Sequence, residues 1–208
     1  MIKKSFAIIT ILLLGTLAAF AATGSISGKI SGIPKPQTLP GAFPAPPAPA
    51  VVYAVPLPEK HFAPPNKVFI IDQKYTSFIP HVSGIPVGAT VRFKNNDTVN
   101  HNVNWKAIGG DKALAKNLGT FPPGQAATYT FKHAGVVHLQ CSLHPDMSAW
   151  IYVAPTPYVT VSKSNGSYSL ANVPDGRYRV VAWHSGAKEA SQVVTVADHA
   201  VVNLKLTK

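Results

Sequence analysis

The sequence predicts an all-β protein built from two β-sandwiches. Short alternating apolar runs recur at close intervals and are bounded by Gly, Pro, Asn and Asp. Long helical periodicity is absent. A proline-marked junction at Ala154-Pro155-Thr156-Pro157 divides the chain, and 208 residues suffice for one large or two small domains.

The start reads as a secretory signal peptide over residues 1–21. Lys3 and Lys4 form a basic region, Ile8 to Leu14 is the heart of an apolar run from about Phe6 to Leu17, and Ala19-Phe20-Ala21 offers small residues for cleavage. A retained anchor is the alternative, but the run is short for a spanning helix. The expected location is the periplasm. No later stretch is long and apolar enough to span a bilayer, so membrane association is not required. No Cys lies near the cleavage point, which excludes lipid attachment there.

The predicted strands follow in order. Ile26 to Ile30 and Val51 to Val55 come first, within residues 24–60. Residues 33–65 hold eleven of the nineteen prolines and read as surface loops around the second strand, because Pro cannot donate to a ladder. Residues 67–154 then carry Val68 to Ile71, Thr90 to Phe93, Ala127 to Phe131, Val136 to Cys141 and Ala149 to Val153. Asp111 to Leu118 is the one helix candidate. Residues 157–208 add Tyr158 to Val161, Tyr168 to Leu170, Tyr178 to Trp183, Gln192 to Val196 and Val201 to Leu206. Asn165-Gly166 and Val173-Pro174-Asp175-Gly176 are turn signals between them.

The net charge is +11 for the whole chain and +9 without the first 21 residues. The lysines are scattered, with no arginine-rich helix and no stacking motif, so nucleic acid is excluded as a partner. A basic surface suits an acidic protein partner or an anionic membrane face, with solubility alone as the plain alternative. Cys141 is the only cysteine and cannot form an internal disulfide.

That cysteine opens Cys141-Ser142-Leu143-His144-Pro145-Asp146-Met147, with two residues between successive candidate ligands. The loop lies between two predicted strands, and His101 approaches from a third after the turn Asn95-Asn96-Asp97. Thiolate and thioether beside imidazole select copper, and two His, one Cys and a weak Met form a blue-copper donor set. Zinc is the rival, but structural zinc sites use four strong Cys or His ligands.

These residues, with Asp97-Thr98-Val99-Asn100-His101-Asn102-Val103, Ala134-Gly135-Val136, Phe78-Ile79-Pro80 and Val87-Gly88-Ala89-Thr90-Val91, resemble the cupredoxins. The short loop resembles that of amicyanin and is shorter than that of plastocyanin. The resemblance implies a Greek-key sandwich with one type 1 copper, held by His101, Cys141 and His144 equatorially and Met147 axially. It implies that Asn102 pins the Cys loop, its N–H towards the sulfur and its side chain paired with Ser142. His81, by analogy, lies near the same pole as a supporting group or a further metal ligand. His138 is expected to point outward. The whole chain also resembles exported proteins labelled methylamine-utilisation or plastocyanin-like.

Residues 157–208 resemble the later part of a carboxypeptidase-regulatory-like, transthyretin-type sandwich, through Asn165-Gly166-Ser167-Tyr168-Ser169-Leu170, Val173-Pro174-Asp175-Gly176-Arg177-Tyr178 and Val193-Val194-Thr195-Val196. Gly24 to Ile33 and Ala50 to Val55 resemble its first strands. The expectation is a copper domain inserted into a split sandwich; the alternative adds residues 24–55 to the copper domain. Ser169, His184 and Asp175 lack a nucleophile motif, so no enzyme is expected. The expected function is a one-electron carrier between redox proteins, with copper storage or delivery as the alternative.

Overall fold

The computed structural model describes residues 23–35, 48–108 and 115–208. The expected signal peptide lies outside them. The described residues form seventeen strands and no helix.

The middle of the chain folds as one sandwich. Its first sheet runs β4 (Ser77–Ile79), β3 (Val68–Lys74), β6 (Thr90–Asn95), β9 (Ala126–Thr130). Its second runs β5 (Val82–Pro86), β11 (Ser148–Ala154), β10 (Gly135–Gln140), β7 (His101–Ile108), β8 (Lys116–Phe121). Phe78, Phe93, Trp105, Phe131, Leu139 and Ile151 meet between the two sheets. The helix expected over Asp111 to Leu118 is corrected in part: Lys116, Asn117 and Leu118 are strand, and 111–114 lie outside the described residues. Pairing of β8 with β7 decides this, through Trp105↔Lys116 and Asn104↔Asn117 and then, past an irregularity, Val103↔Gly119.

The second sandwich draws strands from both ends. β1 (Thr23–Ser31) pairs with β13 (Ser167–Pro174), β16 (His199–Val201) and β17 (Leu204–Lys205). The stretch expected as one strand, Val201 to Leu206, is thus interrupted. β2 (Val51–Leu57) lies between β12 (Val159–Val161) and β14 (Gly176–Trp183), and β14 also pairs β15 (Ala190–Val196). Ile26, Val52, Leu170, Val180 and Leu206 fill its core.

The two sandwiches share a seam, and side-chain alternation explains it. On β11, Ala149, Ile151 and Val153 enter the middle core, while Tyr152 and Ala154 enter the seam with Trp150 packed beside them. On β2, Val52 and Ala54 face the second core, and Val51, Tyr53 and Val55 face the seam. Both strands are covered on both sides, which is why they read as nearly continuous apolar runs. The Tyr53 and Tyr152 rings stack at 5.0 Å and their hydroxyls lie 2.7 Å apart. Burial raises both phenol pKa values, so both keep their protons at neutral pH. His138 turns away from the middle core and stacks on Trp150 at 4.2 Å.

Gly84 on β5 lies against the seam residues Val51 and Val159. A Cβ there would stand 2.9 Å from Val159 Cγ2 and 2.9 Å from Val51 Cγ1. Gly84→Ala is therefore expected to lower the unfolding free energy by about 1–3 kcal/mol, as overpacking does. Urea unfolding of the variant beside the parent checks this, and unchanged stability would show a seam loose enough to yield.

Candidate metal centre

The β10–β11 hairpin builds the site. Its ladder ends at Gln140↔Ser148, and the loop beyond is closed by Cys141 N–H donating to Met147 O at 3.2 Å. Inside it, Met147 N–H donates to His144 O at 3.0 Å. Cys141 and Met147 are buried, at 4% and 2% exposure. His101 opens β7 and is fully buried.

Three ligand atoms converge. Cys141 Sγ lies 3.6 Å from His144 Nδ1 and 4.0 Å from His101 Nδ1, and the two Nδ1 atoms are 3.1 Å apart. Among the described residues, these three form the one such group of His, Cys, Asp or Glu. Met147 lies on the same closed loop.

Asp97 decides how His101 presents itself. His101 Nε2 is 3.0 Å from Asp97 Oδ2. An ionised carboxylate only accepts, so the ring proton sits on Nε2 and the Nδ1 lone pair faces the sulfur. Asp97 Oδ2 also accepts from Thr76 N–H at 2.7 Å, and Oδ1 from Thr98 N–H at 2.8 Å. The Thr76 N–H, the His101 ring and the Thr98 N–H hold this carboxyl down at about 2. Thr76 donates from the turn joining β3 to β4, where Tyr75 and Thr76 have φ of 56° and 53°.

The other side of the site is held by amides. Asn102 N–H donates to Cys141 Sγ at 3.3 Å. Asn102 Oδ1 accepts from Ser142 Oγ at 3.0 Å and from Asn104 Nδ2 at 2.6 Å. Asn104 Nδ2 also reaches Ser142 Oγ at 2.9 Å, and Asn102 Nδ2 donates to Asn117 Oδ1 at 3.1 Å. Buried Asn95 ties down the segment before His101, donating to Val99 O and Phe121 O.

His101, Cys141 and His144 are therefore brought together, with Met147 buried on their loop and Asn102 and Ser142 against it. His81 is not brought into the group. It is exposed at the head of β5, and its carbonyl accepts from Trp150 N–H at 2.8 Å. Asp97, Asn104 and Asn117 were missed as site residues. The Asp97-to-His101 spacing of four was the available signal, and it reads equally well as an ordinary turn.

The donor set fits copper: two imidazole nitrogens, one thiol sulfur and one thioether, with His101, Cys141 and Met147 buried and His144 partly exposed. Leu143 and Val99 stand exposed beside it, at 50% and 43%.

No family model matches the chain, and no curated protein matches it. Solved structures similar in part include a purple cupredoxin from Nitrosopumilus maritimus, with 26% identity, a TM-score of 0.37, and coverage of 41% of this chain and 99% of that one. A reduced amicyanin mutant shares 25% identity at a TM-score of 0.39, over 49% of this chain and 99% of that one. A Cu-containing nitrite reductase from Thermus scotoductus SA-01 shares 26% at 0.38, over 46% of this chain and 23% of that one.

Asp97→Ala would leave the buried His101 Nε2–H and two backbone N–H groups without their acceptor. The expected loss of unfolding free energy is about 1–3 kcal/mol, read by urea titration of metal-free protein. Equal stability would mean that water replaces the carboxylate.

Proposed function

We propose that this chain is an exported copper protein that carries single electrons between redox proteins. The observation that carries the reading is the convergence of Cys141 Sγ with the two Nδ1 atoms, one of them oriented by Asp97. His101, Cys141 and His144 would hold the metal, with Met147 as the weak fourth donor. Bound copper supplies a one-electron couple there. The chain's own residues would hold the donors in place through that couple. Asn102 N–H donates to the sulfur, Asp97 fixes the His101 ring, and the closed loop keeps Cys141 and His144 together.

His144 is the least buried of the three grouped ligands, and exposed Leu143 precedes it. This is where a redox protein would meet the site, and the excess of basic residues favours an acidic one. The reading assigns no catalytic residue. The sequence of residues 1–21 supports export to the periplasm. Pairing of β1 and β2 with C-terminal strands supports a copper domain inserted in a split carboxypeptidase-regulatory-like sandwich. Deleting residues 24–55 is then expected to unfold the C-terminal half, read by protease resistance; a folded isolated 157–208 fragment would contradict the split.

Copper titration of the purified protein tests the function. An intense thiolate-to-copper absorption with reversible electrochemistry is expected, abolished by Cys141→Ser. Met147→Ala is expected to shift the potential while copper stays bound. Tight binding of reduced copper without that absorption would favour storage or delivery instead. No binding by protein with an intact thiol would sink both readings.

A further inference from the structure

The seam holds a run of aromatic rings that the metal centre does not use. Half-buried Trp150 contacts Trp183 at 5.8 Å between ring centres, Trp183 contacts Tyr152 at 5.4 Å, and Tyr152 stacks on Tyr53 at 5.0 Å. The run ends on hydrogen bonds. Tyr152 Oη lies 3.2 Å from Glu189 Oε1, and Glu189 is exposed. A carboxylate only accepts, so Tyr152 donates to Glu189, and Tyr53 donates to Tyr152.

Position and chemistry point the same way. Trp150 stands three residues after Met147, and His138, its cross-strand partner, three residues before Cys141. Both sulfur groups are readily oxidised. Indoles and phenols also give up single electrons to radical oxidants. Electron exchange falls steeply with separation, so rings in contact pass electrons far faster than rings spaced by aliphatic groups. A phenol must shed its proton as it is oxidised, and Glu189 stands where that proton goes.

We propose that the seam is a relay that leads oxidising equivalents away from the sulfur-bearing loop. A small radical oxidant takes one electron from Trp150, leaving an indole radical cation and the reduced oxidant. Trp183 returns an electron to Trp150, and Tyr152 returns one to Trp183. The Tyr152 proton passes to Glu189. Both indoles end as they began, and the products are a Tyr152 radical and a protonated Glu189. The Tyr53 hydroxyl then donates to the radical oxygen. No step requires a bound metal, so the relay stands apart from the copper reading.

Pulse radiolysis in azide solution tests it on the full folded chain without added metal. The azide radical oxidises indoles, and of the three tryptophans Trp105 and Trp183 are buried at 2% and 9% exposure, so Trp150 is the accessible target. The expected result is decay of the indole radical matched by growth of a tyrosyl radical, at a rate independent of protein concentration. The double variant Tyr53→Phe with Tyr152→Phe keeps every ring and is expected to lose that growth. Trp183→Phe and Glu189→Gln are each expected to slow it. Tyr129→Phe, which alters the separate Trp105–Tyr129 contact, is expected to leave it intact. Absence of concentration-independent growth in the parent, or its persistence in the double variant, overturns the relay. So does an unchanged rate in Trp183→Phe.

Discussion

The constraint on which the rest depends is the burial of β11 on both faces. Ala149, Ile151 and Val153 occupy one core, while Tyr152 and Ala154 occupy the seam beside Trp150. Its backbone is paired on both edges, antiparallel to β10 and parallel to β5. A slip of one residue would exchange Ile151 and Val153 for Trp150 and Tyr152 and ruin both packings. Cys141 and Met147 are joined across the mouth of the hairpin that β11 completes. Two cores therefore fix the strands that carry the loop.

Within the site the decisive cost is the burial of His101. A ring with no exposure must find a partner for each polar atom. Asp97 partners Nε2, which leaves Nδ1 for the group of donors. The carboxylate is positioned by Thr76 N–H, and Thr76 is a β-branched residue at φ 53°. Such a conformation costs roughly 1–2 kcal/mol, and a charge-assisted hydrogen bond of about 1.5–3 kcal/mol offsets it. Strain in the β3–β4 turn and orientation of a buried imidazole are thus parts of one balance. The amides of Asn102, Asn104 and Asn117 act on the opposite side through Ser142 and the sulfur.

The all-β class was legible because strands such as Thr90 to Asn95 bury alternate residues and others, such as Val51 to Val55, bury both faces. The seven-residue loop was legible because sulfur and imidazole at short spacing between strands have few other uses. What stayed hidden depends on contacts distant in sequence. Lys116 to Phe121 carries no clear alternation and becomes strand through pairing with β7. Asp97 looks like any turn aspartate until the β3–β4 turn and His101 are seen against it. The division of Trp150 and Tyr152 from Ile151 between two environments could not be read from β11 alone, since every face is apolar.

The seam tyrosines separate adhesion from chemistry. Stacked rings account for burial of apolar surface, and two phenylalanines would provide nearly the same area. The hydroxyls add nothing to that and must be satisfied, because a buried hydroxyl without a partner costs free energy. Among the described residues they are satisfied in series: Tyr53 through Tyr152, and Tyr152 through Glu189. Fully satisfied, such a network rigidifies the seam, and loss of any one member leaves a buried hydroxyl unpaired. Its direction, from a dry phenol pair to an exposed carboxylate, is the one that moving a proton outward requires.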